Sequence, residues 1–598
     1  MTISAPRWDL TNVYPSLESD EFKGAVDDYK KQVATFEKFF KNKLKKANSK
    51  TNAKDLASLV GKAIDQINSI QTLSATIGPF IYSYVTTNSR DKVAMKTRSE
   101  FEQASLPMNQ LTTQFTAWLG KIEPKLGKIV ENNKSAKAHE FMLREAAEQS
   151  QYLMSDEEEA IAAELSLSGG NAFRKLQGTV TSQLSVDFEL DGKTEKMPMP
   201  ALINLRSHPN EAVRHRAYEA ENQAWETVKE TLAASMNGVK GETITLNKKR
   251  GRKDAIHSSL DDARMDRKTL EAMLAAMKDS FPMFRKYFQA KARKLGKEKL
   301  AWWDLYAPTG KTDKVYSFEE ARDFVLENFG KFSPELEAFA KRAFDNNWID
   351  AEQREGKRGG AFCMEVQGVK ESRILANFDG SFDQVSTLAH ELGHAFHNEC
   401  AYQANKTMLQ QLTPMTLAET ASTMCETVVT EAVLASTQDP QEELAVLEAQ
   451  LINAAGIIVD IYSRYLFEKE VFERREQSEL SADDFNEIME RAQKETYGDG
   501  LDERYLQKFM WTWKPHYYSS SFYNYPYAFG LLFATGLYAI YRQRGEAFVE
   551  DYKNLLASTG EETAAKLAKR FGIDITKRKF WDDSLAIIGK RIDRYAEL

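Results

Sequence analysis

Residues 381–400 read SFDQVSTLAHELGHAFHNEC, and few folds can accommodate them. Ser381, with Gln384 three residues on, forms a capping box and predicts a helix starting here. Val385, Leu388, Ala389, Leu392 and Phe396 then recur at helical spacing and define one apolar face. At about 100° per residue, His390, His394 and His397 gather on the opposite side, with Glu391 on one flank. Three of the chain's eight histidines are thus aimed from one face of a helix whose other face is expected to be buried.

His390-Glu391-Leu392-Gly393-His394 is an H-E-x-x-H pattern. Two imidazoles one turn apart can reach a single ion at about 2.0–2.1 Å. The glutamate after the first imidazole then lies beside the remaining coordination position. There it can accept a proton from an activated water and return it to a leaving amine. The five-residue pattern alone would arise by chance in a chain of this size on the order of once in a hundred. Its coincidence with a helix cap and a separate apolar face points to a metal site. His397 lies about 10.5 Å along the axis from His390, too far for three rings on one straight helix to close on one ion. It is expected to support a ligand from behind or to face substrate.

A third ligand has to come from another element. The extended metzincin pattern needs glycine at 397 and histidine at 400, and the chain has His397 and Cys400, which disfavours it. A downstream carboxylate fits instead, as in zinc sites built from two histidines and a glutamate. Glu399, Glu419, Glu426 and Glu431 are the candidates, and Glu399 is too close on the same helix. Glu419 and Glu426 are seven apart in LAETASTMCETVV, a helical pattern, so they share a face. One can bind metal while the other braces a histidine, and periodicity does not say which.

Elsewhere the chain reads mostly as amphipathic helix. Ser155 and Glu158 form another capping box, and Gly169 and Gly170 stop that helix. A helical pattern covers 269–295, with Pro282 predicted to kink or break it. Strand signals are few. Leu184, Val186, Phe188 and Leu190 alternate with polar residues, and Asp191-Gly192 follows as a hairpin turn. Residues 359–378 form a second extended region in which Ile374, Ala376 and Phe378 alternate, so a small sheet is expected just before the histidine helix. A chain of 598 residues exceeds one simple core. A boundary near residue 200, around Pro198 and Pro200, gives a helical domain over 1–200 and a second domain, holding the histidine helix, over 201–598.

The net charge of −8 and pI of about 5.8 lack the basic excess of a nucleic-acid surface. The lysine-rich run 41–54 has no interleaved aromatics and reads as solvated surface. The apolar stretch 527–541 is interrupted by Gly530 and Gly536 and falls short of the ~20 residues of a membrane span, so a buried helix is expected. Residues 1–10 carry no signal-peptide pattern. Three cysteines, Cys363, Cys400 and Cys425, do not make a secreted disulfide framework, and a reducing cytoplasm fits better.

Residues 511–529, WTWKPHYYSSSFYNYPYAF, stand out as well. His516 is the only histidine after 397, and Tyr523, Tyr525 and Tyr527 follow it closely. Amide hydrolysis needs a donor aimed at the oxyanion of its tetrahedral intermediate, which a tyrosine hydroxyl or an imidazole can supply.

With these residues assembled, the chain resembles the oligoendopeptidase F branch of the thimet-oligopeptidase-like zinc metallopeptidases. The resemblance runs through nearly the whole chain. It includes WDLTNVYPSLES near the start, WWDLYAP at 302–308, ILANFDGSFDQVSTLAHELGHAFH in the centre and NYPYAFG in the tail. It implies one zinc ion per chain on His390, His394 and Glu419, the last 25 residues beyond His394. Glu426, seven further on, would brace the site, and Glu391 corresponds to the general base. His516 with Tyr523 and Tyr527 corresponds to the residues that bind substrate and stabilise the oxyanion, and Tyr525 stays open. The implied fold is mostly α-helical, a two-lobed ellipsoid with a deep channel and zinc at its floor. A small β-sheet near the zinc-binding helix would offer an edge to substrate backbone. The implied activity is endopeptidase cleavage of short oligopeptides in cytoplasmic peptide turnover, by a monomer or homodimer, with no nucleic-acid or membrane partner. The rivals are a dipeptidyl- or carboxypeptidase using the same site, and a peptide-binding protein without catalysis, against which the intact Glu391 argues.

Overall fold

The computed structural model describes residues 5–311 and 314–598. Helices make up most of it, with two small sheets. The chain forms two compact units, each assembled from separated segments. The first comprises Met1–Leu153, Lys314–Ala432 and Ile540–Phe571; the second comprises Met154–Asp313, Val433–Ala539 and Gly572–Leu598. Position 200, where the sequence suggests a boundary, falls inside the opening segment of the second unit. The histidine helix lies in the first unit and the tyrosine-rich segment 511–529 in the second.

In the first unit, the Ala53–Thr87 helix buries Leu56, Val60, Ile64 and Ile67 at spacings of three and four. These share a core with Phe36 of the Asp20–Phe39 helix and with Trp118 of the Lys92–Ile122 helix. Each fully buried aliphatic or aromatic side chain contributes about 1.5–3 kcal/mol relative to exposure. The lysines of 41–54 are exposed around the buried Leu44 and Ala47, as expected of solvated surface. All three cysteines are free.

In the second unit, β1 (Ser185–Leu190) and β2 (Lys193–Pro198) pair as the expected hairpin. Its two turn residues, Asp191 (φ 51°) and Gly192 (φ 75°), are both left-handed, which a tight type I′ connection demands. Trp225, Phe467, Phe485 and Trp511 centre the core of this unit. Of the kink or break expected at Pro282, the break does not occur: the Arg267–Lys294 helix runs unbroken through it. Buried residues on both sides of the proline, Met277 and Phe281 before it and Phe284 and Phe288 after it, hold the helix together despite the missing N–H. Stretch 527–541 lies within the expected helix, Tyr525–Arg544, with Phe529, Leu532, Phe533 and Leu537 fully buried. Among the described residues one helical stretch, Pro440–Arg475, is long and apolar enough to cross a membrane, and 61% of its most apolar window is buried inside the protein.

The second sheet, in the first unit, positions the histidine helix. It comprises β3 (Ile349–Asp350), β4 (Phe362–Val366) and β5 (Glu371–Leu375) in the order β3-β5-β4. Central β5 is parallel to β3 and antiparallel to β4, and its Ile374 and Leu375 are fully buried. The buried Lys357 ammonium donates to the carbonyls of Asp350, Glu352 and Ala376 at 3.0, 2.8 and 2.6 Å. It thereby fastens β3 to the segment that leaves β5. That segment turns at Gly380 (φ 86°), a conformation that favours glycine. Ser381 then caps the Phe382–Gln403 helix by accepting the Gln384 N–H at 3.3 Å. The reciprocal half of the expected capping box is not made. Asp379, a charged acceptor only two residues back, takes the Ser381 N–H at 2.9 Å instead.

Candidate metal centre

The Phe382–Gln403 helix buries the five residues of its predicted apolar face, Val385, Leu388, Ala389, Leu392 and Phe396. The other side meets the Thr420–Ser436 helix at very short range. A Cβ on Gly393 would lie 2.6 Å from both the Ala421 carbonyl oxygen and Ser422 Cα. Glycine at this position lets the two backbones approach. Its role in the helix contact carries no sequence signal beyond the presence of a glycine.

This contact brings the donors together. Glu419 sits at the junction between Met415–Ala418 and Thr420–Ser436, with φ −85° and ψ 4°. That bridge region is sparsely populated and is frequent at active sites. Its Oε2 lies 3.3 Å from His390 Nε2 and 3.4 Å from His394 Nε2. The three donor atoms all fall within 4.8 Å of one another. Ser422 Oγ donates to Glu419 Oε2 at 2.7 Å and fixes the carboxylate. Glu426 takes a different place: its Oε2 is 3.2 Å from His390 Nδ1. A carboxylate at Nδ1 orients the ring and leaves Nε2 for an ion. For His394 a backbone hydrogen bond to Ala418 likewise favours the charged ring. Glu419 and Glu426, which the sequence leaves as equivalents, are thus separated by geometry.

Charge follows the same pattern. Burial alone would lower the pKa of His390, but hydrogen bonds to Glu419 and Glu426 outweigh it and raise it to about 10. Burial lowers His394 to about 4. Burial of Glu419 is opposed by its bond to His390 and by the charge on the imidazoles, which hold it at about 2. A positive charge is therefore stabilised between two carboxylates, which is the environment that suits a divalent cation in place of the His390 proton.

Glu391 stands beside this cluster without joining it. It is buried, and its Oε2 has no hydrogen-bond partner. Burial, with a further push from Glu419, raises its carboxyl to about 7. Both features are what a proton-accepting group needs.

The remaining candidates are engaged elsewhere. His397 is buried and its Nε2 lies 3.0 Å from the Leu556 carbonyl and 2.9 Å from Thr559 Oγ1. It clips the helix to the Ile540–Phe571 segment. Glu399 pairs with Arg342 at 2.7 Å, and Glu431 lies 4.0 Å from Arg542.

In the second unit, the His516 and Tyr523 rings stack at 5.9 Å, and the Tyr523 and Tyr527 hydroxyls are 3.1 Å apart. His516 Nε2 is buried without a partner, while Tyr523 is 38% exposed and so accessible. Tyr525 is excluded as a free donor. It is buried, its hydroxyl donates to the Ser259 carbonyl at 2.9 Å, and it accepts from Ser259 Oγ at 3.1 Å.

A helical frame that sets an H-E-x-x-H helix against a carboxylate at the turn leading into a second helix is that of a metallopeptidase. The chain belongs to peptidase family M3, whose profile matches residues 204–587, and falls in its oligoendopeptidase F branch. The Oligopeptidase F profile matches residues 123–185. Oligopeptidase PepF of Bacillus subtilis is 24% identical over 486 residues, covering 80% of this chain and 71% of that protein. Group B oligopeptidase PepB of Streptococcus agalactiae is 22% identical over 528 residues, covering 86% of each. Among solved structures, a Chlamydophila abortus protein described as a peptidase shares the fold with a TM-score of 0.84 at 17% identity, over 99% of this chain and 98% of that one. Oligoendopeptidase-F from Enterococcus faecium does so with a TM-score of 0.70 at 18% identity, over 96% and 98%.

Proposed function

We propose that this protein is a zinc-dependent endopeptidase that hydrolyses short oligopeptides, with Glu391 as general base. The observation that carries the reading is the convergence of His390 Nε2, His394 Nε2 and Glu419 Oε2 beside the unpartnered Glu391 Oε2. Two imidazoles and one carboxylate suit zinc. Held by these three residues, zinc would act as a Lewis acid and lower the pKa of a water. Glu391 receives the proton of the attacking water at Oε2 and hands it to the leaving nitrogen. Glu426 keeps the His390 ring oriented, and His397 keeps the helix in place. β4 is the edge of its sheet and offers its backbone to an extended peptide. His516, Tyr523 and Tyr527 are assigned as donors to the substrate carbonyl and its oxyanion. Three free thiols fit a reducing cytoplasm.

The test is cleavage of an internally quenched peptide of about ten residues, roughly 33 Å when extended. Cleavage at internal bonds is expected, abolished by chelation and restored by zinc. Release of residues from one end only would make it an exopeptidase. Metal binding with no cleavage of any peptide in a diverse pool would make it a binding protein. A separate expectation concerns Glu426→Gln. Zinc affinity, read by competition with a chromogenic chelator, should fall about 10–100-fold, because the His390 ring loses its charged anchor. Unchanged affinity would show that Glu426 does not orient the ligand.

A further inference from the structure

Residues 520–524 join the His516–Ser519 helix to the Tyr525–Arg544 helix within the second unit. Tyr523, which is exposed, stands here between the buried Phe522 and Asn524. Phe522 has φ 52°, in the left-handed region that a bulky side chain seldom enters. Among the described residues it is the only aromatic one there. Such a conformation persists only where the surroundings over-determine it.

Three helices of the same unit do so. The Phe522 N–H donates to Glu468 Oε2 at 2.9 Å, and the Phe522 carbonyl accepts from Ser259 Oγ at 3.3 Å. The Phe522 ring stacks on Phe472 at 5.6 Å and lies 5.6 Å from the ring of Tyr465. Glu468, Phe472 and Tyr465 belong to the Ile461–Arg475 helix and Ser259 to the His257–Asp262 helix. From the Glu211–Lys249 helix, Lys240 Nζ donates to Glu468 Oε1 at 2.6 Å and to the Ser520 carbonyl at 3.4 Å. Lys240 and Glu468 are 1% and 2% exposed, so the pair lies wholly inside the protein.

An ion pair buried this deeply adds little net stability over apolar residues of the same shape, because desolvation offsets the attraction. Methionine and leucine in its place, however, could neither donate to the Ser520 carbonyl nor accept the Phe522 N–H. The pair therefore gives the turn a donor and an acceptor held against its backbone. Tyr523 follows directly. Its ring stacks on His516 at 5.9 Å, and its hydroxyl lies 3.1 Å from that of Tyr527, so a shift in the turn displaces a hydroxyl with a defined place.

We infer that Lys240 and Glu468 are positioning residues for the Tyr523 hydroxyl: they fix the backbone at Ser520 and Phe522 and so aim the side chain that follows. The assignment rests on the peptidase reading, in which that hydroxyl donates to the oxyanion. A reacting group displaced by about 1 Å loses on the order of a hundredfold in rate.

The experiment is a double-mutant cycle on the full-length protein with the quenched peptide. Lys240→Met combined with Glu468→Leu removes both charges at once, so neither is left buried alone. This variant is expected to lose about 10–100-fold in kcat, with KM and zinc content little changed. Lys240→Met combined with Glu468→Gln keeps an acceptor for the Phe522 N–H and should recover most of the loss. Tyr523→Phe alone should lower kcat by about 10²–10³-fold. In that background the leucine variant should cost almost nothing more, because the hydroxyl it aims is gone. Equal losses in both backgrounds, or no loss in either, overturn the inference and leave the peptidase reading standing. Wild-type kcat in Tyr523→Phe overturns it together with the role of Tyr523, but not that of Glu391. Should the leucine variant fail to fold, Glu468→Gln alone, whose single oxygen cannot serve both Lys240 and Phe522, enters the same cycle with the same expectation. Fluorotyrosine in place of Tyr523 reads the aim without turnover. Its fluorine resonance should be single in the otherwise wild-type protein and broadened or split in the variant. Identical resonances overturn the inference. If no peptide is cleaved but the resonance responds as expected, the peptidase reading falls and the aiming of Tyr523 by the pair stands.

Discussion

Glutamine in place of Glu391 is expected to lower kcat for peptide cleavage by about 10²–10⁴-fold, with zinc content unchanged. The substitution keeps shape and volume, so the helix and its neighbours have no reason to move. What changes is proton affinity. The Glu391 carboxyl is raised to about 7 by burial and by Glu419, close to the working pH, and an amide cannot take up a proton there. None of the three clustered donor atoms belongs to Glu391, so the metal should stay. Steady-state cleavage and elemental analysis of the same preparation decide the matter. Retained kcat would mean that another group moves the proton, and lost metal would mean that Glu391 helps to hold it.

Gly393→Ala is expected to damage both stability and activity, although alanine is the better helix former by about 1 kcal/mol. The new Cβ would be 2.6 Å from the Ala421 oxygen and Ser422 Cα and 2.9 Å from the Ala421 carbonyl carbon, all of them backbone. No rotamer change relieves that overlap, so one helix must shift. Overpacking of this kind costs about 1–3 kcal/mol, which exceeds the propensity gain. The shift also draws Glu419, next to the contact, away from His390 and His394. A displacement of about 1 Å at such a site lowers rate on the order of a hundredfold. Thermal melting, zinc occupancy and kcat/KM should fall together. A variant with wild-type melting and full activity would show that the helices do not touch at this point.

Much of this arrangement could be read locally. The Ser381 cap, the apolar face and the His390–His394 pair depend only on helical period and on residues within one element. The β1–β2 turn was legible because Asp191-Gly192 fits a conformation few other pairs adopt. Glu419 and Glu426 could not be separated by periodicity. Their difference arises because Glu419 precedes the Thr420–Ser436 helix at a turn, while Glu426 lies within it. The partners of His397, Leu556 and Thr559, lie about 160 residues away in sequence, beyond any local pattern. The same holds for the interleaving of the two units, which long-range packing decides. At the N-cap the sequence suggested Gln384 as the reciprocal partner, and a nearer carboxylate, Asp379, won.

The clip between His397 and Leu556 also bears on how the protein is made. Their separation is 159 residues. At about 5–20 residues per second, a ribosome needs roughly 8–30 s to deliver the second partner after the first. For that interval the donor-bearing helix lacks the segment that anchors its far face. The peptidase centre is thus among the last parts of the first unit to become fixed. A nascent chain thus carries His390, Glu391 and His394 before the segment that anchors their helix exists.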